Sequence, residues 1–155
     1  PMPTSCPCLP FCKLAPNTFD RILLDSHCSS EGRFSLIQPD SFKFWSLSKI
    51  KEMVFKQRAL FKSAFLALKP GGVMVYATCT FAPEENEGIL DWALGKTNNE
   101  MEILEWEPPV ANWMPGVTAW ESKVFSGEVR KSCRILPDAT MSAFFIALIR
   151  KKILP

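Results

Sequence analysis

The stretch Leu68 to Glu87, LKPGGVMVYATCTFAPEENE, decides the fold class. Within it, Val73 to Ala77 (VMVYA) is an unbroken apolar run of strand length, as a strand buried on both faces would read. Ahead of the run, Pro70, Gly71 and Gly72 are breakers that end a preceding helix. Behind it, Pro83 opens another helix with Glu84, Glu85 and Glu87 in its first turn, where carboxylates suit the positive helix end.

Working outward, Ser48 to Leu68 carries Ile50, Met53, Val54, Phe55, Ala59, Leu60, Phe61, Ala64 and Phe65 largely at three-to-four spacing, which predicts a helix. Upstream of it, Arg21 to Asp25 (RILLD) is a second short apolar run, followed by turn-forming Ser26, Ser29, Ser30 and Gly32. Downstream, Met101 to Glu107 alternates like a strand. A long loop rich in Trp and Pro then leads to a last strand over Ala143 to Arg150. Strand, helix, strand, helix, strand, loop, strand is half of a doubly wound α/β sheet, with helices expected on both faces. Residues 1–18 stand apart as an irregular segment rich in Pro and Cys, and residues 19–155 form the folded part.

The 155 residues, 47% hydrophobic and 22% charged, suit one globular domain. No apolar run reaches the roughly 18 residues of a membrane span, and Ala143 to Ile149 is cut off by Arg150, Lys151 and Lys152. No secretory signal opens the chain, so a cytoplasmic setting is expected. A formal charge of +2 is compatible with a polyanionic partner without being the mark of a nucleic-acid clamp. Six cysteines in such a setting are expected to be reduced, catalytic or metal-bound.

Position separates those cysteines. Parallel strands joined by a helix share a sheet with a right-handed crossover, so their carboxyl ends open on one edge, where ligands of such sheets bind. Cys28 follows the first strand and Cys79 the second, so their side chains could face one cleft. The alternative is that both are small buried hydrophobes, as free cysteines often are. Cys6, Cys8 and Cys12 have C-x-C-x₃-C spacing, which is not a standard zinc pattern, and no second ligand pair completes a tetrahedral site; no metal is expected.

Three blocks carry a resemblance: FDRILLDSHCSSEG (Phe19 to Gly32), LKPGGVMVYATCTFAPEENE (Leu68 to Glu87) and CRILPDATMSAFFIALIRK (Cys133 to Lys151). Together they resemble successive blocks of the Nop/Sun-type (RsmB/Nop) RNA 5-methylcytosine methyltransferases. The stretch WMPGVTAWESKVF (Trp113 to Phe125) looks like the members that act on bacterial ribosomal RNA. The resemblance implies the C-terminal half of a Rossmann-like class I methyltransferase sheet, S-adenosyl-L-methionine as cofactor, and RNA, ribosomal by that likeness, as partner. It also implies residue roles. Cytosine C5 is too weak a nucleophile to take a sulfonium methyl unaided, so a thiolate adds to C6 first. The resemblance gives that part to Cys79, release of the product to Cys28 as base or its relay, and a place near the cofactor and target base to Asp25.

For other residues two readings stay open. Glu84, Glu85 and Asn86 either shape the nucleophile's loop or form an acidic first helical turn, the latter favoured. Lys49, Lys51, Lys56, Arg58 and Lys62 could meet phosphates but suit a solvated face. Trp113, Trp120 and Phe125 could stack a splayed base but suit core packing. His27 beside Cys28 hints at a thiol–imidazole pair, although neighbours in a turn rarely aim at each other.

The chain also departs from the family pattern. Relatives have Asp-Ala-Pro-Cys where this chain has Asp25, Ser26, His27 and Cys28, so the stiffening proline is gone. Ser142 and Ala143 stand where relatives commonly carry glycine. Residues 1–18 contain no glycine, so the glycine-rich cofactor loop of the family is not expected here. The expectation is therefore a segment that depends on a missing N-terminal half or a complementing chain, or else an inactive or RNA-binding remnant. Alone, it should be unstable or inactive, with Arg21 to Asp25 as an apolar sheet edge.

Overall fold

The computed structural model describes residues 15–35 and 37–153. The strands are β1 (Phe19–Asp25), β2 (Leu68–Thr78), β3 (Met101–Leu104), β4 (Trp113–Pro115), β5 (Ala119–Trp120), β6 (Lys123–Val124), β7 (Cys133–Ile135) and β8 (Phe144–Lys151). Two α-helices are described, α1 (Leu47–Ala67) and α2 (Glu87–Lys96). The fold is the expected mixed α/β arrangement. β1 pairs with β2 in parallel, and β2 pairs with β8 antiparallel. The far edge of β8 is shared, with β3 along residues 148–151 and β7 along residues 144–146. β4 lies outside β7, and β5 with β6 makes a separate hairpin.

α1 starts where Ser46 caps it, its hydroxyl accepting from the Lys49 N–H at 3.1 Å. It runs straight into β2, because Leu68 is already extended and paired with Phe19. The Lys69–Gly72 segment expected only to break the helix instead bulges within the strand. The register jumps from Phe19↔Leu68 to Arg21↔Val73, and Gly71 takes φ +80, a conformation open to glycine.

Both α-helices pack on one face. Phe61 and Phe65 of α1 join Ile89, Leu90 and Ala93 of α2 over Met74, Tyr76, Phe145, Ala147 and Ile149 of the central strands. The expectation of helices on both faces does not hold among the described residues, for a topological reason. β1 to β2 and β2 to β3 both advance in the same direction across the sheet, and crossovers of one hand then lay their helices on one side. On the other face Leu23 is 71% exposed, with Val73, Val75 and Leu148 half-buried. β1 is an edge of this sheet, as expected.

Three further expectations are corrected. The second helix begins at Glu87 rather than Pro83; residues 83–86 form a turn, with the Gly88 N–H donating to the Pro83 carbonyl at 2.8 Å. The strand expected over Met101 to Glu107 ends at Leu104. The loop before β8 holds four strands of two or three residues, too short to show any period in sequence. The irregular segment with Cys6, Cys8 and Cys12 lies outside the described residues apart from its last four positions. Among the described residues no helix is long and apolar enough to cross a membrane, and no cluster of His, Cys, Asp and Glu could hold a metal ion.

Candidate functional site: two thiols at adjacent strand ends

The parallel pairing of β1 with β2 ends at Asp25↔Ala77, and both chains turn off the sheet together at that edge. Two hydrogen bonds continue the contact beyond the strands. The Ser26 N–H donates to the Ala77 carbonyl and the Gly32 N–H to the Cys79 carbonyl, each at 3.0 Å. Gly32 allows this approach because a Cβ there would sit 2.7 Å from the Ala143 carbonyl and 2.9 Å from that of Cys79. The turns are thus locked face to face, and the Cys28 and Cys79 sulfurs lie 3.3 Å apart.

Around the thiols the Thr-Cys-Thr and Pro-Glu-Glu-Asn blocks act as one laced loop. The Thr78 hydroxyl donates to the Asn86 Oδ1 at 2.6 Å, and the Asn86 Nδ2 donates to the Thr80 carbonyl at 2.9 Å. The Thr80 hydroxyl meets that of Ser29 at 2.7 Å and donates to Glu31 at 3.2 Å. From beneath, the buried Tyr76 hydroxyl donates to the Glu85 carbonyl at 2.7 Å. Further along, Arg134 holds Glu87 in a two-pronged ion pair, Nε to Oε1 at 2.6 Å and Nη2 to Oε2 at 2.5 Å, and its Nη1 donates to the Phe81 carbonyl at 2.9 Å.

Glu85 and Glu87 are therefore not a solvated first turn. Both are fully buried, and each ties the loop to another part of the fold. The Glu85 carboxylate accepts from the Ser29 N–H at 3.1 Å and from the Gln57 Nε2 at 2.7 Å. Gln57 donates as well to the His27 carbonyl at 2.9 Å. Burial raises the Glu85 carboxyl above its ordinary range, against the lowering effect of these bonds. Burial, and then the hydrogen bond with Cys79, pushes the Cys28 thiol up to about 12, so Cys28 keeps its proton at neutral pH.

The remaining expected residues fall as follows. Asp25 stands exposed at the end of β1, with no side-chain hydrogen bond or ion pair to the described residues. The His27 side chain is exposed, and only its carbonyl enters the network. The Ser30 hydroxyl lies 3.7 Å from the Cys79 sulfur and 4.0 Å from that of Cys28, on a residue held at φ 61. Lys51, Lys56, Arg58 and Lys62 are exposed and Lys49 is half-buried, with Lys49 and Lys56 paired to Glu52. Phe125 is core, but Trp120 is 43% exposed and donates to Glu84 at 3.1 Å, against the expectation of core packing.

Gln57 was not singled out by the sequence reading, yet a signal for it exists. It sits four residues after Met53 and four before Phe61, a polar residue in the buried stripe of α1. For a cofactor, the described residues offer the free carboxylate of Asp25. They do not offer a glycine-lined cradle, because Gly32, the glycine at this edge, is packed against the chain's own backbone. The residues present do not by themselves fit an S-adenosylmethionine site.

Residues 10–150 match the family model of the 16S rRNA methyltransferase RsmB/F. Over 139 residues the chain is 45% identical to a tRNA (cytosine(49)-C(5))-methyltransferase of Pyrococcus abyssi, covering 87% of this chain and 42% of that protein. Over 137 residues it is 38% identical to a ribosomal RNA small subunit methyltransferase F of Shigella flexneri, covering 88% of this chain and 26% of that protein. A solved methyltransferase homolog from Pyrococcus horikoshii superposes with a TM-score of 0.74 at 33% identity, over 95% of this chain and 43% of that one. The chain thus spans less than half the length of each of these relatives.

Proposed function

Since the chain belongs to the RsmB/F 16S rRNA methyltransferase family, we propose that it is the catalytic segment of a cytoplasmic RNA (cytosine-5)-methyltransferase, with Cys79 as nucleophile and Cys28 as the release residue. The observation that carries the reading is the 3.3 Å contact of two thiols at the carboxyl ends of adjacent parallel strands, where open α/β sheets bind their ligands.

The Cys79 thiolate adds to cytosine C6, and the C5–C6 π electrons move to C5. Carbon C5 is then nucleophilic enough to be methylated, and a bound S-adenosylmethionine would be the source of an electrophilic methyl group. The proton on C5 must then leave; its C–H electrons re-form the C5–C6 double bond and expel the Cys79 thiolate. Cys28, held protonated beside Cys79, relays that proton, taking the one from C5 as it passes its own to solvent. Asp25, exposed at the strand end, would be placed to meet the cofactor or the cytosine amino edge. The RNA is ribosomal or transfer RNA, the two kinds named for the relatives. The cofactor cradle comes from a segment outside the described residues or from a complementing chain.

The test is a pair of substitutions in the complete enzyme, assayed with tritiated cofactor and substrate RNA. Cys79→Ala should abolish methyl transfer and form no covalent enzyme–RNA complex. Cys28→Ala should transfer one methyl group and then accumulate the complex, resistant to denaturant. Methylation that survives Cys79→Ala would refute the reading.

A further inference from the structure

The Cys28 loop is held from both sides by the same two buried side chains. Gln57 Nε2 donates to the carbonyl of His27, the residue before the thiol, at 2.9 Å. The Glu85 carboxylate accepts from the N–H of Ser29, the residue after it, at 3.1 Å. Gln57 and Glu85 are joined to each other at 2.7 Å, so the clamp is a closed chain from helix α1 through the Cys79 loop. The amide cannot be turned over, because its oxygen would then face the Glu85 carboxylate and the His27 carbonyl.

Stability alone does not account for the pair. Gln57 is fully buried, and its Oε1 has no hydrogen-bond partner among the described residues, a cost that an apolar side chain at this core position would avoid. Glu85 is buried as a carboxyl against the grain of its surroundings. What the pair secures is geometry. Ser26 and His27 lack the conformational lock a proline would give, so the direction of Cys28 has to be set by bonds to its flanking backbone.

We propose that Gln57 and Glu85 are positioning residues that aim the Cys28 thiol at the Cys79–cytosine adduct for the release step. The proposal rests on the release role given to Cys28 above. A misplacement of about 1 Å in such a group costs on the order of 100-fold in rate. Methyl transfer itself uses Cys79, to which none of the clamp's hydrogen bonds is made.

The experiment compares Gln57→Met, Glu85→Ala, Glu85→Gln and Cys28→Ala in the complete enzyme, reading single-turnover methyl transfer, steady-state turnover and the denaturant-resistant enzyme–RNA complex. Gln57→Met conserves volume and removes only the donors. Glu85→Gln keeps an acceptor for Ser29 and should keep release. For Gln57→Met and Glu85→Ala, single-turnover transfer should stay within about threefold of wild type while turnover falls by about tenfold to 100-fold and the complex accumulates. Adding either clamp substitution to Cys28→Ala should cause no further loss, because the clamp acts only through Cys28. Equal losses of transfer and turnover without the complex would overturn the proposal and leave a structural role. If Cys28→Ala itself accumulates no complex, the release reading fails and the proposal with it. If Cys28→Ala does accumulate it but neither clamp variant does, only the clamp is refuted.

Discussion

Replacing Arg134 by Met should destabilise the fold strongly. The guanidinium neutralises Glu87, which is fully buried, through two charge-assisted bonds of 2.6 and 2.5 Å. It also satisfies the Phe81 carbonyl two residues past Cys79 and lies 5.9 Å from the Phe145 ring centre. Arg134→Met leaves a buried carboxylate with only the Val117 N–H as partner. Stranding one member of a buried pair costs about 3–5 kcal/mol. For a domain of this size that corresponds to a fall in Tm of about 6–20 °C. The double variant Glu87→Met/Arg134→Met removes both charges and should recover most of the loss, because a buried pair replaced by packed apolar groups is often close to neutral. Urea unfolding followed by tryptophan fluorescence, with the four proteins of the double-mutant cycle, measures the coupling. A cost below about 1 kcal/mol for Arg134→Met, or additive single effects, would refute the reasoning.

Other outcomes follow from the same structure. Ser26 is buried with an unpaired hydroxyl, so Ser26→Ala should raise stability by about 1 kcal/mol, readable as a higher melting temperature. Cys28 binds its proton more tightly in the fold than in the unfolded chain. Its contribution is therefore complete below the ordinary thiol range and is lost as pH rises through that range toward about 12; Cys28→Ala should flatten that part of an alkaline stability curve, leaving the share of Tyr76, whose phenol burial also raises. S-adenosylmethionine binding by this chain alone should be undetectable by calorimetry, and tight binding would contradict the need for a further segment or complementing chain to supply the cradle.

Much of the architecture was legible because burial imposes a period. The Ile50, Met53 and Phe61 stripe and the VMVYA run gave α1 and the core of β2 at nearly their observed places. The four short strands between β3 and β8 were not, since two or three residues carry no period. The side that the helices take depends on the order of strands across the sheet, which local pattern does not state. At the site, strand-end logic brought Cys28 and Cys79 together before any coordinates. It misjudged the Pro83–Glu87 block, because three carboxylates after a proline look the same whether water or Arg134 and Gln57 receive them. Gln57 itself was not singled out, although its place in the apolar stripe marks it.

The central claim is that Cys79, and not Cys28, bonds to the base. RNA carrying 5-fluorocytosine at the target position tests it directly, because fluorine cannot leave C5 as a proton does and the adduct is trapped after methyl transfer. The complete enzyme would be incubated with this RNA and S-adenosylmethionine, digested with protease and nuclease, and the modified peptide sequenced by mass spectrometry. The account predicts one methylated nucleotide attached to Cys79. Attachment to Cys28 would contradict it, as would the absence of any adduct from an enzyme that methylates ordinary RNA.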